Sequence, residues 1–508
     1  MGSGQYNRAM PNLPQDLWTA AQVRELDRRA IEDRGVPGYT LMQRAGAAAF
    51  DALVGRWPAA RRVTVLCGAG NNAGDGYVIA RLARQAGLHT DVVALVGPDK
   101  LKGDAAKAFA DFAADGGEWA GWSGVLPGDG PVVDALLGTG IDRPLEGEFR
   151  EVVDAVADSG RPVLAVDIPS GLHADTGAVM GACVAAELTV TFIGLKIGLF
   201  TGRGPAVTGR VTFAGLSVPE DLARGMEPAA RRSQPAELSF WLPPRARDAH
   251  KGAFGHVLVI GGDAGLGGAA RMAAEAALRV GAGLVSVATR PVHVPAVIAA
   301  RPEVMCLGVE EPDDLAPLLE RATVLAVGPG LGRTEWSERL WRAALDSGLP
   351  MVLDADGLNL LAEHPGRRED RVITPHPGEA GRLLGIETAA VQADRPAAVR
   401  ALAQRYGGVA VLKGAGTLVA LESGPAWVCD RGNPGMASGG MGDVLTGAIA
   451  GLAAQIGDLA LAARLGVLAH ALAADDAAAG GGERGLAAGD VLDRLRPWVN
   501  PGHAHRPA

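Results

Sequence analysis

The stretch from Gly432 to Gly451, GNPGMASGGMGDVLTGAIAG, sets a single carboxylate, Asp443, among glycines that lead directly into an apolar helical pattern. A helix N-terminus carries unpaired backbone N–H groups and roughly half a positive charge. Glycines ahead of it let phosphate oxygens come up against bare backbone. The segment therefore predicts an anion site that opens a helix at Gly440 to Asp443, with an acid beside it that must stay ionised. The helix N-terminus is expected to keep the pKa of that acid low. A carboxylate that merely stabilises the helix dipole is the alternative. No GxxxxGK[ST] motif occurs, so this is not a Walker-type nucleotide site.

A second glycine loop, CGAGNNAGDGYVIAR (Cys67 to Arg81), follows a strand pattern and opens another helix. Its Gly68, Gly70 and Ala73 satisfy the dinucleotide fingerprint, which also wants an acid at the end of the second strand. Here Asp91 instead precedes VVALV. Asn71, Asn72 and Asp75 add oxygens that a plain pyrophosphate loop does not need and that a hard cation favours. Asp134 in VVDALLGTGIDRPL, and Asp167 and Ser170 in AVDIPSGLHADTG, end two further apolar runs. In a parallel sheet such ends share one edge, so Asn72, Asp134 and Ser170 can converge.

The elements that must position these residues are short β-branched runs alternating with helical patterns. RRVTVLC, TDVVALV, PVVDALLG and RPVLAVDIPSG come first, then GHVLVIGG, GLVSVAT, ATVLAVGPG, PMVLDADG, GVAVLKG and TLVALE. This βαβ grammar predicts an α/β chain of two domains, each a doubly wound sheet covered by helices. The grammar pauses in LARGMEPAARRSQPAELSFWL, where Pro and Arg cluster. The domains are set at 15–222 and 242–499, with a linker at 223–241. A length of 508 residues suits two domains. A net charge of −9 argues against nucleic acid as the main partner. Cys67, Cys183, Cys306 and Cys429 show no paired spacing and read as free thiols of a reducing compartment. The longest uncharged apolar run, Val444 to Gly457, is too short to span a bilayer, and no membrane partner is expected. With no signal peptide read at the start, a cytoplasmic location and a homo-oligomer are the expectations. Residues 1–14 read as a polar tail.

The ordered series KGAFGHVLVIGG, GLGGAARMAAEAALRVGAGLVSVAT, GPGLG, LDADGLNLL, TPHPGEAGRLLG, VLKGAGT and GNPGMASGGMGDVLTG resembles the ribokinase-like superfamily. Within it, the series is similar to the ADP- or ATP-dependent NAD(P)H-hydrate dehydratases. That resemblance implies phosphorylation of the hydroxyl that water has added at carbon 6 of the nicotinamide ring, followed by loss of phosphate. It implies Asp443 as the base, with Gly439, Gly440 and Gly442 offering N–H groups to the phosphoryl. Lys413, Gly414, Ala415, Gly416 and Thr417, with Gly442, would hold the nucleotide. Ala269, Gly330 and His376, with Asp443, would contact substrate, and Glu379 would be a Mg²⁺ or water-network residue. Asp354, Asp356 and Asn359 are open between a site role and simple helix capping. The sequence does not choose between ADP and ATP; the resemblance leans to ADP.

The first half, with TVTFIGLKIGLFTGRGP behind its motifs, resembles the NAD(P)H-hydrate epimerase domain over about residues 15–219. That implies K⁺ on Asn72, Asp134 and Ser170. Substrate contacts would come from Asn71, Asn72, Ala73, Gly74 and Asp75, from Gly138, Thr139, Gly140, Ile141, Asp142, Arg143 and Pro144, and from Asp167 as the catalytic acid/base. Two departures stand out: Ala73 replaces a loop glycine, and Asp142 or Arg143 stands where some relatives carry a Lys. The implied whole is a bifunctional enzyme that repairs hydrated NADH and NADPH (NADHX and NADPHX). A vitamin-type small-alcohol kinase on the same scaffold would leave the first half unexplained. A first half that only binds ligand would leave Asn72, Asp134, Asp167 and Ser170 without a reason.

Overall fold

The computed structural model describes residues 13–500, so most of the tail expected at 1–14 lies outside the described residues. The chain forms two compact units that part between Arg231 and Arg232.

The first unit is built on seven strands: β1 (Arg62–Cys67), β2 (His89–Ala94), β3 (Trp119–Ala120), β4 (Val132–Ala135), β5 (Val163–Val166), β6 (Leu188–Phe192) and β7 (Arg210–Ala214). Their order is β3-β2-β1-β4-β5-β6-β7, parallel throughout. The central strands β4, β5 and β6 are buried at every residue, as unbroken apolar runs covered on both faces require. Helices α1 (Ala20–Arg28), α2 (Gly38–Arg56), α3 (Asn71–Gln85), α4 (Gly103–Ala114) and α5 (Gly147–Ser159) belong to this unit. Strand order reverses between β1 and β4, and the crevice that such a reversal leaves at the carboxyl ends is where ligands enter folds of this kind.

The second unit repeats the plan with β8 (His256–Ile260), β9 (Leu284–Thr289), β10 (Met305–Gly308), β11 (Val324–Val327), β12 (Met351–Leu353), β13 (Arg371–Ile373) and β14 (Val409–Leu412). These run parallel in the order β10-β9-β8-β11-β12-β13-β14. An antiparallel meander through β15 (Thr417–Ala420) and β16 (Ala426–Cys429) extends the edge. Its site-bearing helices are α6 (Gly267–Arg279), α7 (Ala355–Glu363), α8 (Pro377–Leu384) and α9 (Met441–Ile456). No helix among the described residues is long and apolar enough to cross a membrane.

The segment 223–241, expected as an irregular linker, carries a strand at Ala230–Arg232 and a short helix at Ala236–Trp241. Ala230 and Arg231 pair with Leu17 and Asp16, and Leu17 and Trp18 pair with Leu195 and Lys196. A three-residue strand has no visible period; it exists because its partners are distant in sequence.

Part of the glycine content of the opening segment belongs to packing. A Cβ on Gly447 would lie 1.9 Å from the Ala273 carbonyl oxygen, and one on Gly451 would lie 2.6 Å from that of Ala277. Helices α9 and α6 thus touch backbone to backbone. Gly447→Ala should cost about 2 kcal/mol or more as overpacking, lowering Tm by about 4–8 °C. Gly268→Ala, which meets nothing within 4 Å, is the control and should melt with the wild type.

Candidate active sites

In the second unit the residues predicted to act gather at the carboxyl edge of the sheet. Gly440, in the left-handed region at φ +90°, caps α9 and puts Asp443 in its first turn. Asp354 follows β12 and caps α7 by position, yet its side chain makes no cap hydrogen bond. It accepts instead from Lys413 Nζ at 2.7 Å and from Thr446 Oγ1, on α9, at 2.8 Å. Simple capping is thereby excluded for Asp354. The N-terminus of α9 rests on this pair: a Cβ on Gly442 would sit 3.2 Å from Asp354 Oδ2 and 3.3 Å from Lys413 Nζ.

Lys413 opens a hairpin turn between β14 and β15. Arg395 props that turn from beneath, donating to the carbonyl oxygens of Leu412 and Lys413 at 3.2 and 3.3 Å. Gly414 needs its positive φ of +136°, Gly414 and Ala415 are exposed, Gly416 is buried, and Thr417 Oγ1 closes the turn on the Gly414 carbonyl at 2.9 Å. His376 caps α8 through Nδ1, and Glu379 Oε2 accepts the His376 N–H at 2.7 Å while facing Lys413 Nζ at 3.8 Å. Asp356 accepts from the Gly332 N–H at 2.8 Å and from Asn359 at 3.1 Å. Gly330 abuts Ala269, with 3.1 Å between a Cβ at Gly330 and that of Ala269. Met272, one turn further along α6, reaches Gly440. Ala269 and Gly330 are thus joined through Met272 to the first turn of α9, and that turn to Lys413 and Glu379.

The electrostatics differ from expectation. Burial pushes Asp443 up to about 7, the neighbouring Asp354 and Asp356 charges add to this, and Lys413 opposes it. The helix N-terminus does not keep this acid's pKa low; the acid sits poised near neutrality. Burial acts against the charge of Asp354, but the Lys413 ammonium and the Thr446 hydroxyl hold it below the usual carboxylate range. Burial likewise opposes the Lys413 charge, and Asp354 and Glu379 more than restore it. Glu379 is pushed up to about 6 by burial. Its Oε2 is engaged in the α8 cap, and Oε1 faces His376 Nε2 at 3.6 Å.

In the first unit α3 begins at Asn71, earlier than its apolar pattern suggests. Asn71 is exposed, Asn72 is buried, Ala73 joins the core, and Gly74 fits under Met42 and Ala105. Of this group, Ala73 and Gly74 have only backbone to offer a ligand. Ser170 Oγ donates to Asp134 Oδ1 at 2.6 Å and its N–H to Oδ2 at 2.8 Å, while Leu137 N–H donates to Ser170 Oγ at 2.9 Å. Asn72 lies against Gly138, next in the chain to Leu137, and its buried Nδ2 has no partner. Burial pushes Asp134 up to about 6. Asn72 Oδ1, the Asp134 carboxylate and Ser170 Oγ are oxygens of the kind a hard cation takes, whereas the orphaned Asn72 Nδ2 is a donor that cannot ligate one. In the loop from Gly138 to Pro144, Ile141 is buried in the core, Gly138 and Thr139 are half-buried, and Gly140, Asp142, Arg143 and Pro144 are exposed. Asp91 bonds Arg62 at 2.6 and 2.8 Å, which leaves it no ribose to hold.

Asp167 stands just after β5 with φ +68°, a conformation rare for a residue with a side chain. Its Oδ1 accepts from Lys196, a fully buried lysine that the sequence reading passed over. The missed signal is a lone charge in the apolar run LTVTFIGLKIGLFT. Asp27 on α1, pushed up to about 6 by burial, was also passed over, and nothing in its helical pattern marks it. Asp75 is pushed well above its usual range by burial and by the charges of Asp167 and Asp27.

The sequence profile described as NAD(P)H-hydrate dehydratase matches residues 257–496, and that described as YjeF-related protein N-terminus matches 38–198. The bifunctional NAD(P)H-hydrate repair enzyme Nnr of Coxiella burnetii is 52% identical over 96% of this chain and 99% of its own length. The corresponding protein of Escherichia coli is 46% identical over 96% of this chain and 95% of its own. The chain belongs to the bifunctional NAD(P)H-hydrate repair enzyme family. It pairs an epimerase unit with a dehydratase unit. Among solved structures, a ribokinase-like superfamily protein from Enterococcus faecalis is 29% identical, with a TM-score of 0.50 over 53% of this chain and 95% of its own. An ADP/ATP-dependent NAD(P)H-hydrate dehydratase from Bacillus subtilis, co-crystallised with ATP and Mg²⁺, gives 28% identity and a TM-score of 0.47 over 52% and 96%.

Asp354→Asn leaves the dehydratase unit's Lys413 ammonium buried without its carboxylate. It should cost about 3–5 kcal/mol in denaturant unfolding, and the double variant Asp354→Asn/Lys413→Met should regain a large part of that.

Proposed function

We propose that residues 242–499 phosphorylate and dehydrate the S epimer of hydrated NADH and NADPH, with Asp443 as the base, and that residues 15–222 interconvert the R and S epimers, with Asp167 as the proton acceptor. The observation that carries the reading is the Asp443 carboxylate, held in the first turn of a helix whose N-terminus rests on the Lys413–Asp354 pair. Asp443 takes the proton of the ring hydroxyl as that oxygen attacks the terminal phosphorus, and the nucleotide leaves with the bridging electron pair. The phosphate ester then departs from carbon 6 with its own pair, and loss of a ring proton restores the double bond. Phosphoryl transfer asks the protein chiefly to position groups and stabilise charge. The N–H groups at Gly439, Gly440 and Gly442 are suited to the transferring phosphoryl, and the turn from Lys413 to Thr417 to the nucleotide. Ala269, Gly330 and His376 would line the substrate.

ADP is the donor we favour, with ATP the alternative. Mg²⁺ would come with the nucleotide phosphates and neutralise their charge. In the epimerase unit Asn72, Asp134 and Ser170 would hold K⁺, which would keep the buried Asp134 ionised. Asn71 to Asp75 and Gly138 to Pro144 would bound the hydrated dinucleotide. Asp167 takes the hydroxyl proton as the carbon 6–nitrogen bond opens, and returns it once the ring closes on the other face. Asp75, whose neutral form burial favours, would lend a proton to the departing nitrogen. A homo-oligomer in the cytoplasm completes the proposal.

Because Asp443 must be ionised, dehydration of S hydrate should fall as pH drops through about 7. Asp443→Asn should lower its kcat by about 10²–10⁴-fold. Asp167→Ala should abolish R-to-S interconversion and leave dehydration of the S epimer intact. Parallel assays with ADP and ATP name the donor. Undiminished turnover by Asp443→Asn with either nucleotide contradicts the assignment.

A further inference from the structure

The only charge between Leu188 and Thr201 belongs to Lys196, whose side chain is fully buried. An ammonium in such a place is costly unless paired. Its three donors are all used within the protein: on Asp167 Oδ1, on Thr191 Oγ1 at 3.0 Å and on the Phe192 carbonyl oxygen at 3.2 Å. None is left for a ligand, so Lys196 can reach the reaction only through Asp167.

Asp167 is held asymmetrically. Oδ1 accepts from Lys196, from the Phe192 N–H at 3.2 Å and from the Thr191 hydroxyl at 3.3 Å. Oδ2 has no partner among the described residues, and the side chain keeps 18% exposure. The Asp167 N–H on the Val190 carbonyl at 2.7 Å fixes the backbone at its positive φ. With one oxygen tied three ways, the carboxylate cannot rotate, and the direction of the other is set. Two more carboxylates share this neighbourhood, Asp27 on α1 and Asp75 on α3, and each feels the charges of Asp167 and Lys196.

We propose that Lys196 is the positioning residue of the epimerase site: by clamping Asp167 through Oδ1 it leaves Oδ2 as the one oxygen that exchanges a proton with the hydrate. The inference rests on Asp167 being the proton acceptor. Oδ2 takes the proton from the hydroxyl on carbon 6. That oxygen becomes a carbonyl as the carbon–nitrogen bond breaks, with its electron pair going to nitrogen. After rotation the nitrogen pair re-forms the bond on the opposite face and the proton returns from Oδ2. Nothing is consumed.

The test uses the full-length chain, NADH hydrate enriched in the R epimer and no nucleotide, so that only interconversion proceeds; the epimer ratio is followed by NMR. Asp167→Asn and Lys196→Met should each lower kcat by about 100-fold or more with KM within about threefold. The double variant should be no worse than the poorer single one, because both substitutions break one unit. A purely structural lysine would instead raise KM and give additive losses. Wild-type kcat in Lys196→Met with Asp167→Asn inactive overturns the inference alone. Full interconversion by Asp167→Asn overturns the reading beneath it. If Lys196→Met does not fold, Thr191→Val carries the test. It removes the hydroxyl shared by Oδ1 and Nζ, should lower kcat about tenfold, and overturns the inference if kcat is unchanged.

Discussion

The dehydratase unit depends on one buried ion pair, Lys413 with Asp354. It joins the end of β12 to the β14–β15 turn, and Thr446 extends it to α9. Burying two charges is favourable only when geometry and hydrogen bonds repay the lost water. Here both Asp354 oxygens are used, and the pair lies under the first turn of α9. Its effect on Asp443 is therefore built in: the Asp354 charge raises that carboxyl, Lys413 opposes it, and burial decides the outcome near neutrality. A base in that range is ionised often enough to act and basic enough to take a proton.

Both units solve the same problem with the same strand order. In each, order reverses beside the first strand, and the candidate site edge is assembled from loops that sequence separates widely. Each also opens a helix with glycines, but for different ends. Gly440 supplies a left-handed cap and Gly447 a helix crossing, whereas Gly74 lets α3 settle against Met42 and Ala105. Each site further buries a lysine against an aspartate. Lys413 holds a carboxylate beneath the proposed base, while Lys196 holds the proposed base itself.

Much of this was legible in the sequence. Unbroken apolar runs ending in Gly or Asp located most strands of both sheets, because strands covered on both faces leave no other pattern. Motif order then assigned each half. Short strands such as Trp119–Ala120 and Ala230–Arg232 were not legible, since their existence rests on distant partners. Nor was the charge state of Asp443, which is set by burial and by Asp354, Asp356 and Lys413 arriving from two other segments. Asp354 itself stayed open between a site role and a cap, because only its partners Lys413 and Thr446 decide it. Lys196 left a trace, one cation in an apolar run, but its meaning needed Asp167 at its end.

The most direct test of the Lys413–Asp354 account is the pH dependence of kcat/KM for dehydration of S hydrate by Asp354→Asn. Removing the carboxylate takes away a charge that raises Asp443 and frees Lys413 to approach it. The acid limb, expected near pH 7 in the wild type, should therefore move to lower pH. A limb that stays where it is, with activity retained, would show that the ion pair does not set the state of Asp443.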